Sequence, residues 1–504
     1  MAAERPAAPS LSTQAFWLLL AKTFGFALTL GLPLVLVRSL SQAEFGLYKQ
    51  AFLVVGTAMT VLPLGFGMSA FYFLPRDREA HGAIVLHVLL VHTLVGGLAA
   101  LALIAWPGLL TAVLGSDALT PYSAELAAVV LTWTVASFLD IVAVARQDVV
   151  ASTVFIIASQ ASKTAIFIVA ALAAGSVRAL IDAAIVQGVL QIAVLLAYMR
   201  AKFPGFWRGF DWQTLRTQAS YALPLGLSSL VLKFQSDLPH YVVGHAFGAA
   251  EYAIFTVGVF NLPLIGLLRE SVGSVMLPRV SRLEQEQDRQ QIVGLVARVA
   301  RKLALFYFPI YVFLMIVGRE FISVLFTPQY LASWPLFAVY LLVIPTGVIV
   351  LDPITRAYAE QRFFLLKLRL VLFAITIAIF AAGAARLGLL GTVAVMVAVQ
   401  VAGTLGAGIR LSRVMELGAK DFRQFAVLGR IAGAALAAGV VCAAARFALL
   451  GSGPFVVLAV GGIAYAAAYA AAIVVAGVLD AGEWSLLRGL LRRQRTPARR
   501  NVAC

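Results

Sequence analysis

Four basic side chains fall inside stretches that are otherwise apolar: Lys22, Lys163, Lys233 and Arg269. An ionised group at the centre of an apolar helix costs about 2.5–3.5 kcal/mol on insertion scales. It persists where a partner, a wet cavity or an anionic ligand receives it. Lys163 lies about 16 Å from either end of its run at the rise of an α-helix, and a lysine stem of roughly 6 Å does not snorkel that far. Ser152, Ser159 and Lys163 recur on one helical face with Gln160 beside them. Lys233 is equally central, and Asp237 follows one turn later, where the two charges can pair. Lys22 and Arg269 lie nearer the ends of their runs, within reach of snorkelling, and Glu270 points about 100° away from Arg269. Trp133, Ser137 and Asp140 make a second polar stripe. Asp140 and Asp237 are the candidate ion-coupling carboxylates, with Arg146 or Lys163 as alternative partners for Asp140. Gln187 and Gln191 share a face and offer amides either to a ligand or to another helix.

Fixed cations at depth bind anions; nothing beside them suggests a covalent reaction. No GxxxxGK[ST] phosphate loop occurs, so ATP hydrolysis by this chain is not expected. Cys442 and Cys504 do not have the spacing of a metal cluster or a disulfide framework. The histidines, 81, 87, 92, 240 and 245, include no pair with a ligand spacing. No metal, cofactor or catalytic residue is therefore assigned, and the chain is not expected to be an enzyme.

The elements that carry these residues follow from composition. Of 504 residues 62% are hydrophobic and 12% charged, against roughly a quarter charged in a soluble domain. That is too few polar residues to clothe soluble domains, and lipid must be part of the solvent. A membrane span needs about 20 mainly apolar residues. Fourteen such runs are found, near 13–37, 49–75, 83–106, 121–145, 148–174, 178–199, 219–246, 252–278, 302–317, 333–355, 363–385, 388–409, 424–449 and 453–478. The first is too long and too interrupted by Lys22 for a cleaved signal and is read as retained. The fold class is an all-α polytopic membrane protein.

Charge orients it. With the N-terminus in the cytoplasm, 29 of the 39 Lys and Arg residues fall on the cytoplasmic side and six, Arg38, Lys49, Arg178, Arg319, Arg386 and Arg446, in the outer connections, the positive-inside pattern. Both termini are then cytoplasmic. The net charge of +16 reflects topology and attraction to anionic lipid headgroups rather than nucleic-acid binding. The segment 200–218 interleaves Phe and Trp with Arg and Lys and reads as an interfacial linker.

The chain also repeats itself. Leu40–Tyr48 after the first span matches Phe247–Phe255 after the seventh, and Leu74-Pro75-Arg76 matches Leu277-Pro278-Arg279. Six spans separate the copies, so the repeat is parallel. This predicts two pseudo-symmetric six-helix lobes, 1–199 and 219–412, joined by 200–218, then two added helices in 413–483 and a basic cytoplasmic tail, 484–504.

The run Leu40–Tyr48, with Tyr221–Ser229, Asp237, Phe247–Phe255, Met276–Arg282 and Phe326–Tyr330, resembles the Wzx-type polysaccharide and oligosaccharide-lipid flippases. These belong to the multidrug/oligosaccharidyl-lipid/polysaccharide exporter superfamily. The resemblance covers spans 1–12, and its motifs mark the family better than the substrate. It implies a flippase in the bacterial inner membrane that moves a polyprenyl-diphosphate-linked oligosaccharide outward by alternating access, for surface polysaccharide such as lipopolysaccharide. It also implies partnership with membrane lipids and with the glycan polymerase and chain-length regulator of the same pathway. On this reading Lys163, Lys22, Arg269 and Lys233, with Gln187 and Gln191, bind substrate. The alternatives are a cation-coupled multidrug exporter or a lipid II flippase of the same fold, and, in a different class, a membrane glycan polymerase or ligase. The cationic surplus at depth disfavours a drug exporter, and the lack of a large outer loop disfavours an enzyme.

Overall fold

The computed structural model describes residues 31–478 except 78 and 359–361. Among the described residues the regular structure is helical, with no strand. Chain punctuation sets the helix ends. Ser41 and Glu44 form a reciprocal capping box that opens α2 (Gln42–Val61), after α1, whose described part is 31–39. Pro63, Leu64 and Gly65 then break the helix, the last two with positive φ, and α3 (Phe66–Phe73) continues at a bend of 43°. The first unit continues with α4 (His81–Ala105), α5 (Ser123–Ala136), α6 (Phe138–Ala145), α7 (Val149–Ala174), α8 (Val177–Lys202) and α9 (Trp212–Ala246). Asp148, Ser176 and Asp211 each cap the helix that follows them, and Gly175 ends α7 in the left-handed conformation.

The later helices are α10 (Ala249–Gly258), α11 (Pro263–Gln285), α12 (Arg289–Phe326), α13 (Arg362–Ala381), α14 (Ala384–Val414), α15 (Ala426–Ala448) and α16 (Pro454–Val475). A further span covers Pro328–Thr346. α10 and α11 repeat the broken-helix pattern of α2 and α3, with a bend of 51°. The two bent pairs carry the two copies of the sequence repeat.

Among the described residues ten helices are long and apolar enough to cross a membrane, and the bent pairs raise this to twelve. The expected fourteen include a first run that lies mostly outside the described residues. α9 is not among those spans; Lys233, Gln235, Asp237 and His240 make it too polar. Apolar side chains such as Leu94, Leu98 and Leu101 on α4 are more than half exposed at helical spacing, as a lipid-facing stripe requires.

The chain divides into two compact units, one through Val257 together with Ile379–Thr392, the other formed by Gly258–Ala378 with the residues from Val393 on. The packing boundary thus lies after Val257, whereas the repeat points to 219, because α9 packs along the first unit. Gly226 on α9 presses against the backbone of Leu64 and Gly65, close enough that a Cβ on either glycine would meet main-chain atoms below 3 Å. Gln50 donates to the Gly244 carbonyl at 3.3 Å. Near its start, α9 is tied by Gln218. Its Oε1 lies 2.8 Å from His87 Nδ1, and its amide donates to Ser69 Oγ at 3.2 Å. The apolar core of this unit centres on Ile84, Val88, Phe138, Val142, Leu195 and Met199.

In the second unit α12, α15 and α16 pack together around Val312, Val317, Ala435, Ala438, Cys442 and Tyr465. Tyr465 and Tyr469 donate their hydroxyls to the carbonyls of Ala435 and Leu305. An Arg446–Glu320 ion pair of 2.8 Å joins α15 to α12.

Candidate substrate-binding site

Lys163 lies in the middle of α7, half-buried, with its ammonium 4.6 Å from the centroid of the Trp133 ring. Trp133 is fixed in place because its indole N–H donates to the Ala184 carbonyl at 2.8 Å. A cation over an indole face gains about 0.5–2 kcal/mol, more as water is excluded. Trp133 belongs to an aromatic group with Phe52, Phe167 and Tyr48, whose neighbouring centroids lie 4.7–6.5 Å apart.

A second lysine rides on the same group. Lys49 holds its ammonium 5.3 Å from the Phe45 ring and 5.8 Å from the Tyr48 ring. The Tyr48, Phe52 and Trp133 rings form a continuous chain from this lysine to Lys163. Neither lysine makes an ion pair among the described residues. Sequence reasoning placed Lys49 in an outer loop. It stands two turns inside α2, and the signal was there: Lys49, Phe45 and Phe52 lie three or four positions apart on one helical face.

Lys233 and Asp237 pair as their spacing suggested, with Nζ 2.9 Å from Oδ2. The same oxygen accepts the hydroxyl of Thr57 at 2.8 Å, Oδ1 accepts that of Ser236 at 3.2 Å, and Tyr241 donates to Thr57 Oγ1 at 2.8 Å. Thr57 and Tyr241 were not foreseen, since their partners lie 180 and 184 positions away. His240 follows Asp237 by three positions on α9 and is half-buried. Its ring stands 5.2 Å from that of Phe255.

Other candidates are placed differently. Gln187 and Gln191 reach the neighbouring helix: Gln187 donates to the Ser159 carbonyl at 3.2 Å and to Ser162 Oγ at 3.1 Å, and Gln191 donates to Ser159 Oγ. Asp140 is exposed and pairs with neither Arg146 nor Lys163. Arg146 donates instead to the Lys202 carbonyl at 2.8 Å and lies over Phe203. Arg269 and Glu270 are exposed on α11 in the second unit. Lys22 lies outside the described residues. His87 and His92 are buried, and the described residues hold no cluster of metal-ligating side chains.

Such an array of long apolar helices, with lysines set on aromatic rings, defines a multi-pass membrane protein. Residues 35–335 match the family described as polysaccharide biosynthesis protein, and the chain belongs to that family. No curated protein sequence matches it significantly. Among solved structures it is similar to the lipid II flippase MurJ in an inward closed conformation. The identity is 14% and the TM-score 0.69, over 90% of this chain and 97% of that one. It is also similar to a MATE-family multidrug resistance transporter of the MOP superfamily in an inward-facing conformation. There the identity is 16% and the TM-score 0.54, over 82% and 97%. A MOP-superfamily transporter from Pyrococcus furiosus, described by a binding pocket of reverse polarity, gives 14% and 0.53, over 80% and 96%. At these identities the likeness is one of fold.

Proposed function

We propose that this protein is a flippase that carries a polyprenyl-diphosphate-linked oligosaccharide from the cytoplasmic to the outer leaflet of a bacterial inner membrane. The observation that carries the reading is the pair of lysines, Lys163 and Lys49, on one aromatic group, neither in an ion pair among the described residues. Intramembrane cations without a carboxylate partner mark a polar path, and a visiting anion relieves their repulsion. A diphosphate supplies that anion, and a cationic drug does not. Membership of a polysaccharide biosynthesis family supports the glycan as cargo.

A diphosphate–sugar head crosses hydrocarbon only inside a polar, hydrated path. Lys163 and Lys49 hold the phosphates there, and the prenyl chain stays in lipid. Lys22 and Arg269 are the further candidate cations for the substrate, and Asp140, exposed and without an ion pair among the described residues, is the candidate for ion coupling. Alternating access supplies the motion; the MATE relatives of this fold are described in both inward- and outward-facing conformations. The chain moves its cargo without altering it.

The test is export. Deleting the protein should stop one surface polysaccharide while its lipid-linked units accumulate inside. Failure to synthesise the units, with intact transport of preformed ones, would reject a flippase. Purified protein in proteoliposomes should make a polyprenyl-diphosphate-linked glycan accessible to an added glycosidase on the opposite side.

A further inference from the structure

We infer that Asp237 is an internal counter-anion which holds Lys233 while the site is empty and releases it to the phosphates of the cargo. The inference rests on the flippase reading above and assigns the division of labour among its lysines. Lys163 and Lys49 are cations without a carboxylate, whereas Lys233 is neutralised at 2.9 Å by Asp237. If Lys233 served only to balance Asp237, a pair of apolar residues would do as well, since buried ion pairs are often no better than apolar replacements.

The surroundings of Asp237 fit a carboxylate whose cation comes and goes. Thr57 and Ser236 both donate to it, at 2.8 and 3.2 Å, and Tyr241 donates in turn to Thr57. When Lys233 swings away, the carboxylate keeps two hydroxyl donors, one reinforced from behind, so it is not left as a bare buried charge. The mobile partner is the lysine. Its side chain is a quarter exposed, against a tenth for Asp237, and it is flexible over roughly 6 Å. Thr57, which holds Asp237, lies on α2 about two turns beyond Lys49, so the helix that carries one of the two lysines on the aromatic group also fastens the Lys233–Asp237 pair.

Exchange serves release. Three fixed cations without a competitor would hold a diphosphate tightly and turn over slowly. A carboxylate that reclaims one of them weakens the hold on the cargo and leaves that lysine paired in the empty protein for its return.

The experiment uses the full chain in nanodiscs, with geranylgeranyl diphosphate as the probe for binding and the proteoliposome assay for transport. Asp237→Asn keeps the shape and one acceptor for the hydroxyls but removes the charge that holds Lys233. Probe affinity should rise about fivefold, and KM and kcat for transport should both fall. Lys233→Arg keeps the charge but grips Asp237 through a planar fork, and should weaken probe binding. Lys233→Gln should weaken it further, and Asp237→Asn added to Lys233→Gln should have no further effect. If wild-type protein binds the probe in a Lys163-dependent way but Asp237→Asn leaves affinity unchanged or lower, the exchange is wrong and the flippase reading stands. If wild-type binding is absent or indifferent to Lys163→Ala, the reading of the site fails and the exchange with it. Should Asp237→Asn fail to fold, equal probe affinity of Lys233→Arg and wild type overturns the exchange.

Discussion

The Lys163 ammonium faces the Trp133 ring at 4.6 Å, in place of the carboxylate that an intramembrane lysine would ordinarily seek. An aromatic face offers a cation partial compensation without neutralising it. The charge stays available to a ligand, which distinguishes this lysine from Lys233, already paired at 2.9 Å.

Removing that charge should cost function more than folding. Lys163→Ala is expected to remain in the membrane at normal levels and to export glycan at least tenfold more slowly. Lys163→Arg should keep part of the activity, and Lys163→Glu should be worst, because it sets a like charge against phosphate. Lys49→Ala should resemble Lys163→Ala, and the double variant should be little worse than either single one. Surface glycan measured at matched protein levels decides it; wild-type export from both Lys163→Ala and Lys163→Glu would make Lys163 a structural residue.

Gly46 and Gly56 lie on the same helix and should respond oppositely to alanine. A Cβ at Gly46 would stand 1.7 Å from the Ala249 carbonyl oxygen, while one at Gly56 would meet nothing within 4 Å. Gly46→Ala forces backbone apart and is expected to destabilise the protein by about 1–3 kcal/mol. Gly56→Ala should be neutral or gain up to about 1 kcal/mol from helix propensity. Thermal unfolding of the purified variants in detergent gives the order, and equal melting temperatures would contradict the close approach.

Gln187 gives a sharper choice between packing and recognition. It donates to Ser159 and Ser162 across the helix pair, while its buried Oε1 has no partner among the described residues. Leucine loses two hydrogen bonds, roughly 0.5–1.5 kcal/mol each, but also removes an unsatisfied acceptor. Gln187→Leu should therefore fold with a modest loss of stability and keep more than half of the export rate. A stable variant without export would return Gln187 to the substrate.

Topology can be read by labelling. Ser41, Gln42 and Glu44 form the turn that opens α2, and the charge bias puts that turn outside. With Cys442 and Cys504 replaced, a cysteine at position 42 should react with a membrane-impermeant maleimide in intact cells. Protection there, with labelling only after permeabilisation, would invert the orientation.

Much of this protein was legible in its sequence because the relevant physics is local. A span must satisfy its own backbone hydrogen bonds and match the bilayer in length, so apolar runs located most of the helices. The Lys233–Asp237 pair was visible because partners four positions apart meet on any helix. The depth of Lys163 followed from counting residues. Neighbours across the bundle were a different matter. In lipid, hydrophobicity does not say which face of a helix turns inward; small residues, close backbone approach and interhelical hydrogen bonds decide that. Only the tertiary structure could turn Gln187 and Gln191 toward Ser159, set Gly46 against Ala249, or bring Thr57 to Asp237 across 180 positions. It also drew Lys49 out of its expected loop onto the rings that lead to Lys163, and fastened α9 along the first unit through Gly226, where helix polarity and a sequence repeat alone carried no instruction about packing.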